Sequence, residues 1–580
     1  MKQRKKEIGK IYIKAQAIVF AMFFCVSILV SPNAKAQTIS MDQLPIEDAL
    51  RRLQLMGKIE SDISFMSRPL QPTKIGAWDS ALKWLDPVYF KKGLHPISKK
   101  FLGNTFYATV LPLQVTGQYV TEHPFQELDG PMVASSGRQT YISGGVYLKL
   151  GPLTIQYQPQ FVWAENKNYR GTIQTPNYNY PFLVDYSNSI NNLFYNILDN
   201  PLLKNNLLGN SSIRLNLGLL SLGVSSENLS WGPTLMNPLV ISAHSPGFKH
   251  LTFNSNHPFR TKIGSFEWNW IAGFLEPEKT IFKNISDASA DNPTPRRYIN
   301  AGMFAFSPNR IKGMSIGLFR LSQQPNIILN ESKDWNLIFK NISRVNDKSN
   351  FVPSFLGSNE DNTDHYAGFF LRFKMPSSHA EFYSEWARND AFYNFRDLIQ
   401  NPEHSRAYTY GFRKLFNFTE TSFIKYYDFN IEYTRIQQPS TWPVRNAGKW
   451  YIHGYFPGII NLGQIIGAPI GSGGNYFMMR LSKFEGMKQL AIQLESTTKN
   501  ADDYEGSGLA FQNPSKTKWV DMGFRILYDH PYKHFLLSAS LIAKRSFNYN
   551  FSQPVTATGF GFENPNDLDS FLLKIGLRYL

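Results

Sequence analysis

Apolar and polar residues alternate along most of this chain, in segments of roughly ten residues. In the last segment Phe571, Leu573 and Ile575 share one face of a strand, whereas Lys574 and Arg578 lie on the other. Successive side chains of a strand point to opposite faces, so each segment has one apolar and one largely polar face. The connections are alternately short and long, which is typical of a barrel that crosses a membrane. We therefore predict an all-β fold, an antiparallel transmembrane β-barrel.

The N-terminal residues 1–36 are typical of a secretory signal peptide. A basic stretch precedes the apolar residues 15–30, and an A-x-A cleavage site ends at Ala36. A single membrane anchor is the alternative, but the apolar run is shorter than the roughly 20 residues that a spanning helix needs. The only cysteine, Cys25, lies in this segment. The mature chain is therefore predicted to contain no disulfide, thiolate metal site or cysteine nucleophile.

The composition indicates which partners suit the chain. No apolar run after the signal is long enough for a spanning helix, which argues against a helical membrane protein. The formal net charge is +16 and aromatic residues make up 15% of the 580 residues. A positive charge suits anionic lipid headgroups, including lipopolysaccharide, or an acidic polymer, and aromatic residues form the girdles of membrane barrels. We predict a monomer in the outer membrane of a Gram-negative cell, with no nucleic-acid partner.

Residues 37–100 differ from the rest of the chain. Apolar residues recur at helical spacing over 46–56, followed by Gly57 as a stop signal, and a second short helix is predicted over 78–85. We predict a small helical segment at the periplasmic end, which plugs the barrel, docks on it or serves as a linker. Residues 101–580 then form the barrel.

Sixteen strands can be laid out from Thr105 onward, with every long connection from Arg138 onward on one side. Residues 214–224 are among them, as one strand. Two further strands at 239–242 and 248–253 would make eighteen, so the pattern predicts 16–18 strands. An even number returns the last strand to the periplasm, as bacterial barrels require. A soluble secreted β-protein is the alternative, but it does not require loops on one side only.

Several segments resemble the Wzi capsule-assembly family. Residues 228–233 (NLSWGP) and 237–242 (NPLVIS) are similar to its WGP…N.L..S segment, and residues 381–387 (EFYSEWA) to a strand in the middle of its barrel. Residues 451–453 (YIH) and 463–471 (GQIIGAPIG) resemble a later loop of the family. The segments occur in the same order, and the likeness covers most of the chain from about residue 100.

The resemblance implies an outer-membrane barrel of eighteen strands with a small helical bundle at its periplasmic end. It also implies that the protein holds capsular polysaccharide at the cell surface, as a lectin rather than as an export pore. The helical segment predicted before residue 100 agrees with that architecture.

Nothing in the sequence indicates catalysis or a metal. Ser242 lies near His244 and Ser378 precedes His379, but neighbours in sequence do not define a triad, and neither G-x-S-x-G nor H-E-x-x-H is present. His244, His250 and the later His257 are spaced too irregularly to share one face of a strand. We predict no catalytic residue, no metal site and no cofactor.

The candidate binding residues come from the polar faces of strands and from glycine-rich segments. Glu381 and Glu385 would face the lumen and either pair with basic residues or contact a saccharide. Trp231 is either a girdle residue or a stacking platform for a sugar, and glycines would let segments fold inward and block the pore. The candidate polysaccharide-binding or lumen residues are Trp231, Gly232, Asn237, Ser242, Glu381, Glu385, Tyr451, His453, Gly463, Gly467 and Gly471.

We thus expect an outer-membrane barrel that binds and retains capsular or extracellular polysaccharide without catalysis. A channel for solute uptake or export is the first alternative, and it would need an open lumen. An outer-membrane hydrolase is the second, and it would need a serine or histidine whose substitution abolishes turnover.

Overall fold

Antiparallel strands close into a barrel in the computed structural model of the chain. The structure describes residues 44–59, 62–70, 75–93, 97–101, 106–125, 127–165, 167, 202–276, 296–325, 364–389, 395–420, 423–439, 441, 449–451, 458–502, 518–549 and 567–579. Within these ranges eighteen strands cross the barrel, which confirms the larger of the two predicted numbers. The predicted signal peptide lies outside the described residues.

The first nine strands are β1 (Phe106–Val120), β2 (Gly137–Leu150), β3 (Leu153–Tyr157 and Gln160–Glu165), β4 (Leu202–Leu207 and Ser212–Leu217), β5 (Leu220–Ser225), β6 (His250–Ser255), β7 (Gly264–Leu275), β8 (Arg297–Pro308) and β9 (Met314–Pro325). The other nine are β10 (Asp364–Met375), β11 (Ala380–Asn389), β12 (Arg406–Glu420), β13 (Ile424–Arg435), β14 (Asn475–Glu485), β15 (Lys488–Lys499), β16 (Trp519–Tyr532), β17 (Phe535–Phe547) and β18 (Leu568–Tyr579). The barrel closes where β18 pairs with β1, with Leu573 opposite Tyr119.

The strands have the two faces that the alternation predicts. On β15, Leu490, Ile492 and Leu494 are about half exposed on the outer surface, whereas Gln493 and Glu495 between and beyond them are buried in the lumen. An apolar outer face and a polar inner face are what a barrel in lipid requires. No helix among the described residues has the length and apolar character to cross a membrane.

Two strand predictions are wrong. Residues 214–224 are not one strand but the hairpin of β4 and β5, which turns at Gly218, where φ is +59°. Residues 239–242 are not a strand of the barrel either, since they lie inside it, whereas residues 250–255 of the other predicted segment do form β6. The hairpin and β6 bring the number of strands to eighteen.

The N-terminal segment forms the two predicted helices. Helix α1 spans Leu44–Leu55 and α2 spans Ile75–Leu85, and a short α3 (Phe395–Gln400) follows β11. The apolar faces of α1 and α2 pack together with the barrel side chains Leu415, Ile424, Phe484 and Leu536. These barrel residues lie near the tight turns, so the helices occupy the end of the barrel opposite the long connections.

Several short strand pairs accompany the barrel, and one of them joins the N-terminal segment to the interior. Ser67–Arg68 pairs with Ser230–Trp231, and Ile460–Asn461 pairs with Gln464–Ile465. Ser98–Phe101 adds to β1, and Phe259–Arg260 adds to β7. The first two pairs lie inside the barrel, so backbone groups that water would otherwise have to solvate are bonded to each other.

Candidate functional site

Two connections fold into the barrel, and we call them together the plug: residues 226–249, between β5 and β6, and residues 458–474, the described part of the connection that leads to β14. Their apolar side chains pack against the inner faces of β7–β12. The plug contributes Leu229, Trp231, Leu239, Val240, Ile241, Phe248, Ile459, Ile460, Ile465, Ile466, Ala468 and Ile470 to this cluster. The part of the lumen along β7–β12 is therefore filled by an apolar core.

Glu432 of β13 holds the plug by its backbone. Its carboxylate accepts hydrogen bonds from the backbone N–H groups of Leu235 (3.0 Å), Met236 (3.1 Å) and Asn237 (3.1 Å). The hydroxyl of Tyr383 donates a fourth bond over 2.9 Å. Bonds to an ionised acceptor are stronger than neutral ones, and three successive N–H groups form a concave site that suits an anion. The carboxylate thus replaces the water that these N–H groups would otherwise need.

Glu385 of β11 likewise binds backbone N–H groups of the plug, on either side of the residues that Glu432 binds. Its carboxylate accepts hydrogen bonds from the N–H groups of Thr234 (3.1 Å) and Leu239 (3.0 Å). Both glutamates are fully buried. We call Glu385 and Glu432 the carboxylate clasp, because together they fix residues 234–239 to the barrel wall.

Gly232 stands directly beside the clasp, with φ at +97°. A Cβ atom on this residue would lie 2.0 Å from Oε1 of Glu385. Only glycine meets both conditions, because other residues are disfavoured at positive φ and their Cβ would collide with the carboxylate.

We expect Gly232→Ala to lower the thermal stability of the barrel. The positive φ alone costs about 1–3 kcal/mol, and the displaced Glu385 adds to that loss. The matched control is Gly151→Ala, since Gly151 also has a positive φ (+55°) but has no atom within 4 Å of a Cβ. Thermal unfolding of the folded species on gels should show a larger loss for Gly232→Ala. Equal losses would mean that the contact with Glu385 has no energetic weight.

Tyr451, Ser242 and Gly467 join the two halves of the plug. The Tyr451 hydroxyl donates to the carbonyl of Leu239 and accepts from the N–H of Ala468 at 3.0 Å. The Ser242 hydroxyl donates to the carbonyl of Gly467. A Cβ on Gly467 would lie 2.6 Å from the Tyr451 ring, so the ring approaches the backbone closely only because residue 467 is glycine.

Glu381 connects helix α1 to the barrel wall. Its carboxylate accepts from Arg51 of α1 at 2.8 Å and from Arg372 of β10 at 2.6 Å, and all three side chains are buried. Arg51 also donates to the carbonyl of Pro233 in the plug over 2.6 Å. The arginine therefore bonds both the wall and the plug.

A second ion pair fixes the same helix. Asp48 of α1 accepts from Arg413 of β12 at 2.7 Å, and Arg413 also pairs with Asp428 of β13 at 2.5 Å. Burial by itself would raise the pKa of Asp48, but Arg413 and Arg52 outweigh it and hold that pKa well below its usual range. The carboxylate stays ionised at any physiological pH, so the pair is permanent.

The remaining candidates from the sequence are also in the interior, with one exception. Trp231 is 1% exposed and packs within the plug, so it lies in the lumen rather than in a lipid-facing girdle. Asn237 is one of the residues that the clasp holds, while Gly463 (φ +84°) and Gly471 (φ +81°) form turns of the plug. His453 lies outside the described residues.

Neither of the two serine–histidine pairs noted in the sequence, Ser242 with His244 and Ser378 with His379, forms a catalytic dyad. The Ser242 hydroxyl bonds Gly467 as above, and the ring Nδ1 of His244 lies 2.8 Å from the carbonyl of Ile465. Burial lowers the pKa of His244 to about 4, which keeps the ring neutral. The ring Nδ1 of His379 contacts the carbonyl of Leu55 at 3.1 Å rather than Ser378. Among the residues that the structure describes, no three metal-binding side chains cluster together.

Sequence reasoning missed Glu432, Arg372 and Tyr383. Glu432 had a usable signal, because it alternates with apolar residues on β13 in the same way as Glu381 and Glu385 on β11. No signal in the sequence identified the plug residues that Glu432 binds, because they donate through their backbone N–H groups.

Comparisons with known proteins agree with this architecture. A family model described as capsule assembly protein Wzi matches residues 129–558. The solved structure of Wzi from Escherichia coli, described as an outer-membrane protein involved in group 1 capsule assembly and a carbohydrate-binding β-barrel, superposes with a TM-score of 0.58 at 12% identity, over 94% of this chain and 99% of that one. A BenF-like porin from Pseudomonas fluorescens Pf-5 reaches a TM-score of only 0.34 at 8% identity, over 81% and 97% of the two chains. No curated protein sequence matches significantly.

Proposed function

Because this chain belongs to the Wzi capsule assembly family, we propose that it binds and retains capsular or extracellular polysaccharide at the cell surface without catalysing a reaction. The family and the barrel fold imply an outer-membrane location. The E. coli structure that shares the fold is described as carbohydrate-binding. We extend carbohydrate binding to this chain as a hypothesis, with its surface and its interior as the places where a saccharide would bind.

The observation that carries the proposal is the plug. A channel needs an open path, whereas here two connections and helix α1 occupy the interior and are fixed to the wall by buried carboxylates. Buried polar groups of this kind are costly unless every partner is present, so the arrangement supports a plug that stays in place. A filled barrel suits retention better than transport.

The contacts of the two serine–histidine neighbours noted in the sequence favour a non-catalytic role for those residues. The Ser242 hydroxyl and the ring Nδ1 atoms of His244 and His379 contact backbone carbonyls. A hydrolase would require a base oriented on a nucleophile.

The proposal also includes a cleaved signal peptide, lipid and lipopolysaccharide around the apolar outer face, and a monomeric barrel.

Cells that lack this protein should still make polysaccharide but release it into the medium. The measurement compares the cell-attached and shed polymer of the deletion strain with those of its parent and of a strain complemented with the full chain. We expect most of the attached polymer to move to the shed fraction and to return on complementation. An unchanged distribution would refute retention as the function.

A further inference from the structure

The part of the lumen that the plug leaves free is a charged cavity, which we call the luminal cavity. It consists of two adjoining spaces of about 270 and 360 Å³ that share Arg480, Arg525 and Lys574 among their lining residues. It lies between helix α1, the connection from β1 to β2 and the inner faces of β13–β18. Its volume is in the range of binding pockets for small ligands.

Most basic side chains of the luminal cavity have a carboxylate partner. Arg525 pairs with Glu127 at 2.5 Å, Lys544 with Glu495 at 3.4 Å, and Lys574 with Asp129 at 2.8 Å. These pairs neutralise one another and leave no charge for a ligand.

Arg480 and Lys499 are different. In the described part of the chain no carboxylate lies within ion-pair distance of either side chain. Arg480 donates only to Oε1 of Gln493, at 2.7 Å, and to the sulfur of Met236, at 3.4 Å. Lys499 is 4% exposed, lines the cavity and has no hydrogen-bond partner among those residues.

Withdrawing a cation from water without an ion-pair partner is costly, and this applies fully to the buried Lys499 and in part to the half-buried Arg480. An anion that enters the luminal cavity would remove that cost. The two cations lie far apart along the wall. Arg480 of β14 lies opposite Gln493 of β15, and Lys499 comes six residues later on β15. This spacing suits an elongated anion with charges at intervals better than a single small ion.

The remaining lining fits a saccharide. Amide and hydroxyl side chains that can bond sugar hydroxyls are present at Asn237, Asn430, Gln489 and Thr497. We propose that the luminal cavity binds a short acidic saccharide, with one carboxylate paired to Arg480 and another toward Lys499. This proposal rests on the proposed function and assigns it a ligand class and an interior site.

The test measures binding of three probes to the full chain in detergent by isothermal titration calorimetry: trigalacturonate, the neutral maltotriose and inorganic phosphate. Trigalacturonate should bind at least tenfold more tightly than the other two, and added salt should weaken it. Arg480→Gln and Lys499→Gln should each reduce its affinity about tenfold or more, because each removes the charged partner of one ligand carboxylate. Lys488→Gln is the matched control, since Lys488 lies exposed at a turn.

Folding does not confound the result, because each variant removes a charge that has no ion-pair partner and should leave thermal stability equal or higher. Equal binding of trigalacturonate and maltotriose, tight binding of phosphate alone, or unchanged affinity in Arg480→Gln would each overturn the inference. Cell-surface retention is scored separately in the Arg480→Gln strain. If the deletion strain sheds polymer while wild-type protein does not bind trigalacturonate, only the cavity inference fails. If the deletion strain retains polymer, the proposed function fails.

Discussion

The double variant Glu385→Ala, Glu432→Ala is expected to convert a closed barrel into a conducting one. Removing both carboxylates leaves five backbone N–H groups of residues 234–239 and the Tyr383 hydroxyl without acceptors. Each unsatisfied buried group costs about 1–3 kcal/mol. This loss should release the segment from the wall, and water would enter the space that it vacates.

Planar bilayer recordings measure this directly. Wild-type protein should show no stable large conductance steps, and the double variant should show frequent ones. Glu485→Ala serves as the control, because Glu485 lies at the turn end of β14, partly exposed and paired with Lys425. Identical traces for wild type and double variant would contradict the role of the clasp. Large stable steps from the wild-type protein would instead favour a transport channel.

Glu381→Ala should cause the largest loss of stability of any single substitution considered. It leaves Arg51 and Arg372 buried with no carboxylate, and breaking a buried charge pair in this way typically costs about 3–5 kcal/mol. Because Arg51 is one of the links between helix α1 and the wall, beside the Asp48–Arg413 pair, the helix should detach more readily than in the wild type. Limited proteolysis should then cut near α1 in the variant and not in the wild type.

A double-mutant cycle separates this effect from a general loss of packing. The cycle comprises Arg51→Met, Glu381→Gln and their combination, which removes both charges of the pair while Arg372 keeps a neutral acceptor. We expect the combination to recover at least half of the stability that Glu381→Gln loses. If the cycle shows additive losses, Arg51 and Glu381 do not interact energetically.

The strands could be predicted because a barrel wall between lipid and lumen requires apolar and polar residues to alternate along each strand. The same rule explains the error at the β4–β5 hairpin. Before the turn the outward residues are odd-numbered, as at Ile213 and Leu215, and after it they are even-numbered, as at Leu222 and Val224. A change of parity inside an apolar stretch was the available signal of a tight turn.

The plug inside the barrel was less predictable, because its segments need no regular alternation of apolar and polar residues. Residues 239–242 are apolar and rich in branched side chains, so they resemble a strand, yet they are buried inside the barrel as part of the plug. The inward direction of Glu381 and Glu385 followed from the pattern, but the partners of Glu385 are backbone N–H groups that any sequence would offer. The fold of a plug depends on contacts between distant segments, which a local pattern does not encode.

Arg68 gives the molecule a mechanical link between its two ends. One nitrogen of its guanidinium bonds Glu47 of helix α1, and another bonds the Ser230 hydroxyl and the carbonyls of Gly232 and Thr234. Helix α1 lies at the end with the tight turns, and the plug connects to strands whose ends lie on the opposite side. Any axial displacement of α1 must therefore break these bonds or carry residues 230–234 with it, so a force applied to the N-terminal segment would reach the outward-facing connections.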